Sequence, residues 1–445
     1  MSTGESEVKA ARFTQLAQTL AGMEDSADDA PRASGALLSF WVPGRIEVLG
    51  KHTDYGGGRS LLCAVERGIC VVAQPRQVTA AVPRVRVLDA NSGEMVELDL
   101  SPDVAAAPGH WSNYPITVAR RIASNFSGDL RGADIAFASD LPPAAGVSSS
   151  SALVVAVFLA LSAANELPSS PEYRRDIHNC EDLAGYLGGV ENGLNFKGLH
   201  GHAGVGTFGG SEDQTAILCA RPNALTQYSF CPVTFERAVP LPQGLDFAIG
   251  ASGVLAEKTG AALQSYNRVS RRLTAGLEAW RNVTGRSDTS MGAAMCSSAD
   301  APTRITRVLA QATTSEYPAE SLVRRFEQFQ METQQLIPSA GDALLRGDLT
   351  AFGEIVARSQ RAAETALENQ IPQTIELVRM AREFGAVAAS AFGAGFGGSV
   401  WALVRSEQIG EFTSRWSDAY RTAFPESAPR AEFFATRAGP AAMRV

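Results

Sequence analysis

The sequence predicts an α+β protein of two domains, on three observations. Strand-like segments crowd the first third of the chain and helical spacing dominates the second half, an order that suits two α+β domains better than one doubly wound sheet. The length, 445 residues, is enough for two separate cores. The hydrophobic fraction, 45%, is ordinary for a globular protein.

Taken in order, Phe13, Leu16 and Leu20 have helical spacing and predict a helix over 8–22. The Asp-, Ala- and Ser-rich stretch 24–35 reads as a flexible link. Strands are predicted at 37–42, 60–65, 69–74, 85–89, 95–100 and 133–137, with a helix at 111–124. A Ser-rich segment then opens a helix through Ala163, and helical spacing resumes over 172–186. Residues 215–219 and 245–250 read as strands. From 258 to 368 the pattern is mostly helical, with polar breaks at 284–290 and 297–303. A helix at 374–384, a buried strand at 400–404 and a helix at 409–424 follow, and no internal repeat is present.

Composition excludes some classes of function. A net charge of −8 argues against a non-specific grip on nucleic acid or an anionic membrane surface. The six cysteines form no Cys-x-x-Cys pair, as expected of reduced thiols in a cytoplasmic protein. Neither a cationic, apolar leader nor an uncharged apolar run near the ~20 residues of a membrane span is visible. The expected partner is a small molecule, and a monomer is slightly favoured.

Three segments carry chemistry. The first is Pro43-Gly44-Arg45-Ile46-Glu47-Val48-Leu49-Gly50-Lys51-His52-Thr53-Asp54-Tyr55-Gly56-Gly57-Gly58. Its cluster of Arg, Lys, His, Asp and Tyr between glycines builds a polar pocket better than a core, and a hydroxyl-rich molecule would supply the partners those groups need. The second runs from Leu141 through Gly146 and Val147 to Ser148-Ser149-Ser150-Ser151, ahead of an apolar helix. Small residues let a ligand approach the backbone, the helix start offers free N–H groups to an anion, and serine hydroxyls can bond phosphate or Mg2+. One serine alone would read as an ordinary helix cap. The third, Gly393-Ala394-Gly395-Phe396-Gly397-Gly398, leads into a strand, whereas a dinucleotide fingerprint opens a helix. The chain has no Gly-x-x-x-x-Gly-Lys-[Ser/Thr] and no protein-kinase signature.

In this order the three segments resemble the small-molecule kinase superfamily that includes galactokinase, homoserine kinase, mevalonate kinase and phosphomevalonate kinase (the GHMP kinases). The first segment is similar to that of the galactokinase branch, with Lys51 standing where the branch has Glu. Trp111-Ser112-Asn113-Tyr114 and Gly210-Ser211-Glu212-Asp213-Gln214 also resemble branch segments. The likeness covers roughly residues 37–405. After the N-terminal helix and link over 1–35 read from spacing and composition, it implies an α/β domain over 36–240 and an α+β domain over 241–445, with the active site in the cleft between them.

The resemblance also implies ATP and Mg2+ as cofactors and transfer to the anomeric hydroxyl of galactose or a related sugar. Asp213 is then the proton acceptor, with Arg45 beside it. Ser150 and Glu191 are the metal ligands. Gly146, Ser148, Ser149 and Ser150 face the nucleotide phosphates, and Trp111 flanks the adenine. Lys51, His52, Asp54, Tyr266 and Gly395 face the sugar. The charges agree with these roles: a carboxylate can take the hydroxyl proton, and a guanidinium can hold that carboxylate ionised and neutralise γ-phosphoryl charge.

Lys51 opens alternatives, because lysine only donates where glutamate accepts. It points to solvent, or it pairs with a substrate carboxylate such as that of a uronic acid, or the substrate is a sugar without the hydroxymethyl group, such as arabinose. Ala144 and Ala145 also replace glycines common in the branch. Residues 196–207 look inserted, and His200 and His202 within them read as part of a mobile polar loop. One rival is a non-catalytic sugar and ATP sensor, which retention of both Arg45 and Asp213 disfavours; the other is a kinase of the same fold acting on a non-sugar such as an isoprenoid or amino acid, against which His52, Asp54 and the Trp-x-Asn-Tyr resemblance favour a sugar.

Overall fold

The computed structural model describes residues 3–24, 30–78, 82–142, 145–254, 260–314 and 316–445. Ala144, the start of the helical stretch at 258 and part of the link at 24–35 lie outside the described residues.

Twelve strands occur among the described residues: β1 (Leu38–Leu49), β2 (Arg59–Pro75), β3 (Arg84–Asp89), β4 (Met95–Asp99), β5 (Ala133–Ser139), β6 (Ala224–Ser229), β7 (Thr234–Pro240), β8 (Leu245–Ala251), β9 (Ala388–Phe392), β10 (Ser399–Arg405), β11 (Glu432–Thr436) and β12 (Met443–Arg444). The larger sheet runs β12-β1-β2-β5-β3-β4, and β6 and β7 extend it from the other half of β2. All its pairs are antiparallel except β3 with β5. The smaller sheet is antiparallel, in the order β11-β8-β10-β9.

Alternation along the strands explains the layers. Phe40, Val42, Val71 and Ala73 face the main core with the helices Asn113–Asn125 and Ser149–Ala164. Trp41, Cys70 and Val72 point the other way, onto Leu16 and Leu20 of the helix Thr3–Ala21. The smaller sheet repeats the rule. Phe247, Ile249, Trp401 and Leu403 join the main core, while Ala248, Val400 and Ala402 meet Trp416 and Leu377 on the helices Ile409–Ala423 and Pro372–Glu383.

Several expectations change. Residues 60–65 and 69–74 are one strand, β2, because Gly68 is tolerated within the ladder and pairs with Pro43. The helical stretch 172–186 is two helices, Pro171–Asp176 and Cys180–Asn192, separated by Asn179, which caps the second. Residues 215–219 are not a strand but lie in the helix Glu212–Cys219. The β-branched Thr215 and Ile217 suggested a strand, but the Thr215 hydroxyl bonds back to Ser211 O at 2.7 Å within a helical turn, and Ile217 is buried in the main core. Tertiary packing overrides propensity there. Residues 196–207 form an anchored loop: Leu199 is buried, and Asn125 Nδ2 donates to His200 O at 3.0 Å.

Two irregularities aim the site. The β1–β2 register shifts between Pro43 and Arg45 and again between Glu47 and Leu49. Such bulges re-aim side chains, and Arg45 and Glu47, two apart on one strand face, both reach the same cavity. The glycine-rich segment 393–398 connects β9 to β10 as a hairpin loop.

Candidate active site

A cavity of about 380 Å3 opens where β1, the turn after it, the Ser-rich helix start and the segment 209–214 meet. That volume suits a small polar ligand. At its centre Arg45 Nε and Nη2 lie 2.7 and 2.6 Å from Asp213 Oδ1, across 168 residues of chain. Arg45 Nη1 also donates to Gly146 O. Burial pulls the Arg45 pKa down, but Asp213, Glu212 and Glu47 outweigh it, and the guanidinium is held above its ordinary value.

Asp213 stands in the first turn of its helix, where the helix dipole favours a carboxylate. The approach of that helix depends on Gly210. A Cβ there would collide with the Asp54 carboxylate, so only glycine lets the loop pass so close. Asn192 then pins the loop: its Oδ1 accepts from Thr207 Oγ1 and Gly209 N, both at 2.8 Å, and its Nδ2 donates to Gly210 O at 2.9 Å.

Ser151 Oγ donates to Glu191 Oε2 at 2.8 Å and lies 3.2 Å from Asp213 Oδ2. Gln214 Nε2 donates to the same Glu191 oxygen at 2.6 Å. Glu191 and Asp213 are thus joined through one hydroxyl. Ser150 lines the cavity, and the serine between the two carboxylates is its neighbour Ser151.

The turn after β1 carries His52 and Asp54 into the cavity. His52 has a left-handed backbone (φ 57°), and its ring nitrogens sit 3.1 Å from Tyr55 Oη and from Ala394 O. Tyr266 packs against it at 5.5 Å between ring centroids. Burial raises the Asp54 carboxyl above its usual range, offset in part by the N–H groups of Glu212 and Tyr55. Distant helices clamp this turn. Gly50 N donates to Glu332 Oε1 at 3.1 Å, and the buried Arg325 donates to His52 O at 2.5 Å and Tyr55 Oη at 3.1 Å.

Sequence reading missed Glu47 and Glu212. Both are buried and both line the cavity. Burial pushes the Glu47 carboxyl up to about 7, against the pull of Lys51 and Arg45, and burial with the nearby Glu47 and Asp54 raises Glu212 well above its usual range. Glu47 Oε1 is buried with no hydrogen-bond partner, while the two carboxyl groups are within hydrogen-bonding reach. Their i and i+2 spacing from Arg45, and position i−1 to Asp213, were the only signals available.

Three residues expected at the ligand lie elsewhere. Lys51 neither faces solvent nor lines the cavity. It is 1% exposed, with Nζ 2.8 Å from Ser390 Oγ and 3.3 Å from Ser359 Oγ. The tight turn that sends His52 and Asp54 inward sends Lys51 into the helical layer. Gly395 lies against Asn369 instead, while Gly393 and Ala394 reach the cavity. Trp111 packs edge-on to Phe137 at 5.8 Å, and its neighbours Gly109 and Tyr114 line the cavity in its place. Gly395 has φ +81°, and an added Cβ would run into the Asn369 carbonyl oxygen. Gly395→Ala is therefore expected to lose about 1–3 kcal/mol of stability, read as a lower Tm.

The phosphate-loop residues fit an anion. Gly146 and Ser148 to Ser151 line the cavity, the helix Ser149–Ala164 begins there, and Ser148 Oγ is buried without a partner behind a left-handed backbone (φ 60°). The hydroxyls of Ser150 and Ser151 and the Glu191 carboxylate are oxygen donors of the type Mg2+ takes.

Comparison with known proteins agrees with this geometry. Family models described as "GHMP kinases N terminal domain", "GHMP kinases C terminal" and "Galactokinase galactose-binding signature" match residues 113–195, 342–422 and 35–75. A galactokinase of Roseiflexus sp. (strain RS-1) is 26% identical over 386 residues, covering 86% of this chain and 87% of the relative. A galactokinase of Lactiplantibacillus plantarum is 28% identical, covering 86% and 89%. The crystal structure of Lactococcus lactis galactokinase complexed with galactose superposes with a TM-score of 0.75 at 21% identity, covering 98% of this chain and all of that one. Methanococcus jannaschii mevalonate kinase gives 0.54 at 13%, covering 92% and 100%. At those identities the two structures speak to the fold alone.

Proposed function

Because the chain belongs to the GHMP kinases, in their galactokinase branch, we propose that it phosphorylates the anomeric hydroxyl of galactose or a closely related neutral sugar, with Mg-ATP as donor. The observation that carries this reading is the Arg45–Asp213 ion pair in one cavity with His52, Asp54 and Tyr266 on one side and the start of the Ser149–Ala164 helix on the other.

Asp213 takes the hydroxyl proton as the oxygen attacks. Arg45 holds Asp213 ionised and offsets the charge of the transferring phosphoryl group. Ser151 orients the second Asp213 oxygen and ties it to Glu191. His52, Asp54 and Tyr266 hold sugar hydroxyls, and the cradle of Gly146 and Ser148 to Ser150 holds the nucleotide phosphates. Ser150 and Glu191 hold Mg2+, which when bound neutralises phosphate charge. With donor, acceptor and ion held in place, positioning and charge account for most of the chemistry. Six free cysteines among the described residues suit a cytoplasmic site of action.

The lining favours a neutral sugar over a uronate. Among the described residues the cavity presents the carboxyl groups of Glu47, Asp54, Glu191, Glu212 and Asp213, and Arg45 is its one Lys or Arg side chain. Lys51, the cation that would have received a uronate, is turned away. ATP consumption measured on galactose, N-acetylgalactosamine, galacturonate, glucuronate and arabinose is expected to be highest with galactose and at background with both uronates. Turnover of a uronate above galactose would end this reading, and no turnover of any sugar would favour the sensor.

A further inference from the structure

The helices that carry Glu191 and Asp213 also meet away from the cavity. Cys180 is the first residue of one, directly after its Asn179 cap, and Cys219 is the last residue of the other. Their sulfurs and a carboxylate oxygen of Glu181 all lie within 4.8 Å of one another, with Cys180 Sγ 3.3 Å from Glu181 Oε2. Cys180 is exposed, Glu181 half-buried and Cys219 buried, so the cluster has one open side. Phosphoryl transfer uses none of the three.

We propose that Cys180, Glu181 and Cys219 form a binding site for a soft divalent cation of the Zn2+ class, which clamps these two helices together. Zinc takes thiolate and carboxylate ligands tetrahedrally, and Zn–S bonds of ~2.3 Å place neighbouring sulfurs roughly 3.8 Å apart. The three ligand atoms, all within 4.8 Å of one another, already stand near the spacing a shared ion requires, and water from the open side is the fourth ligand. Binding releases the thiol protons to solvent and sets two thiolates and one carboxylate against the ion. The oxygen-rich catalytic cavity suits a hard ion such as Mg2+ instead, so the two sites sort metals by softness.

The test is a titration of the full-length, fully reduced protein with Co2+ and Zn2+, without nucleotide or sugar, so it stands apart from the kinase reading. One Co2+ per chain is expected, with a thiolate-to-cobalt charge-transfer band that Zn2+ abolishes. The band is expected to vanish in Cys180→Ser. Glu181→Gln is expected to weaken binding by more than ~10-fold, since even outer partners of metal ligands are worth that much. Zn2+ is expected to raise the Tm of the wild type but not of Cys180→Ser, whose far-UV circular dichroism and cooperative metal-free melt serve as the check on folding. Absence of the band in the wild type, or a band and a Tm rise that persist in Cys180→Ser, would overturn the site.

Discussion

Asp213→Ala is expected to lower turnover by ~10²–10⁴-fold, the range that a positioned proton acceptor contributes. The mutation removes the group at which both Arg45 bonds converge and leaves that buried guanidinium without its principal partner. Part of any loss could then be misplacement of Arg45, so Asp213→Asn is the sharper variant. It keeps the shape and an acceptor oxygen for Arg45 but cannot take a proton at neutral pH. Its kcat is expected to fall by a comparable factor while the KM for sugar stays within a few-fold, the pattern of an interaction made only in the transition state. A kcat for Asp213→Asn within 10-fold of wild type would remove Asp213 from the reaction.

Lys51→Glu is expected to cost about 3–5 kcal/mol of stability, as in breaking a buried charge arrangement. The ammonium sits among Ser390 Oγ and Ser359 Oγ, and Ser359 in turn donates to Glu332 at 2.8 Å. A carboxylate there gains no cation and adds charge of the same sign to Glu47 and Glu332. Lys51→Met removes the charge without adding a like one, and its Tm is expected to fall less. A Lys51→Glu protein that melts with the wild type and differs only in sugar preference would put this side chain back in the substrate pocket.

These two residues mark how far the sequence could be read. Arg45, Asp213, His52, Asp54, Tyr266 and the Ser-rich segment were each identifiable from local pattern and resemblance, and the fold brings all of them to one cavity. Lys51 could not be placed from its neighbours. It follows a glycine in a turn, and its direction is set by Glu332, Ser359 and Ser390, some 280–340 residues away in the chain. Ser150 and Ser151 are equally plausible in a run of four serines. One residue is a rotation of about 100° on a helix, and only the phase of the packed helix turns Ser151 between Glu191 and Asp213. Glu47 and Glu212 look like solvent-facing charges until β1 and the Glu212–Cys219 helix bury them side by side.

Contiguous chemistry was therefore legible from the chain alone: the helices and most strands, the acidic balance, and three segments whose residue types suit sugar and phosphate. Direction was decided by packing, which set where Lys51 points, which serine bridges the carboxylates, that residues 215–219 coil rather than extend, and that Trp111 and Gly395 stand off the ligand. Motifs are carried by bonded neighbours, whereas the orientation and burial of a side chain depend on surfaces supplied by segments hundreds of residues distant.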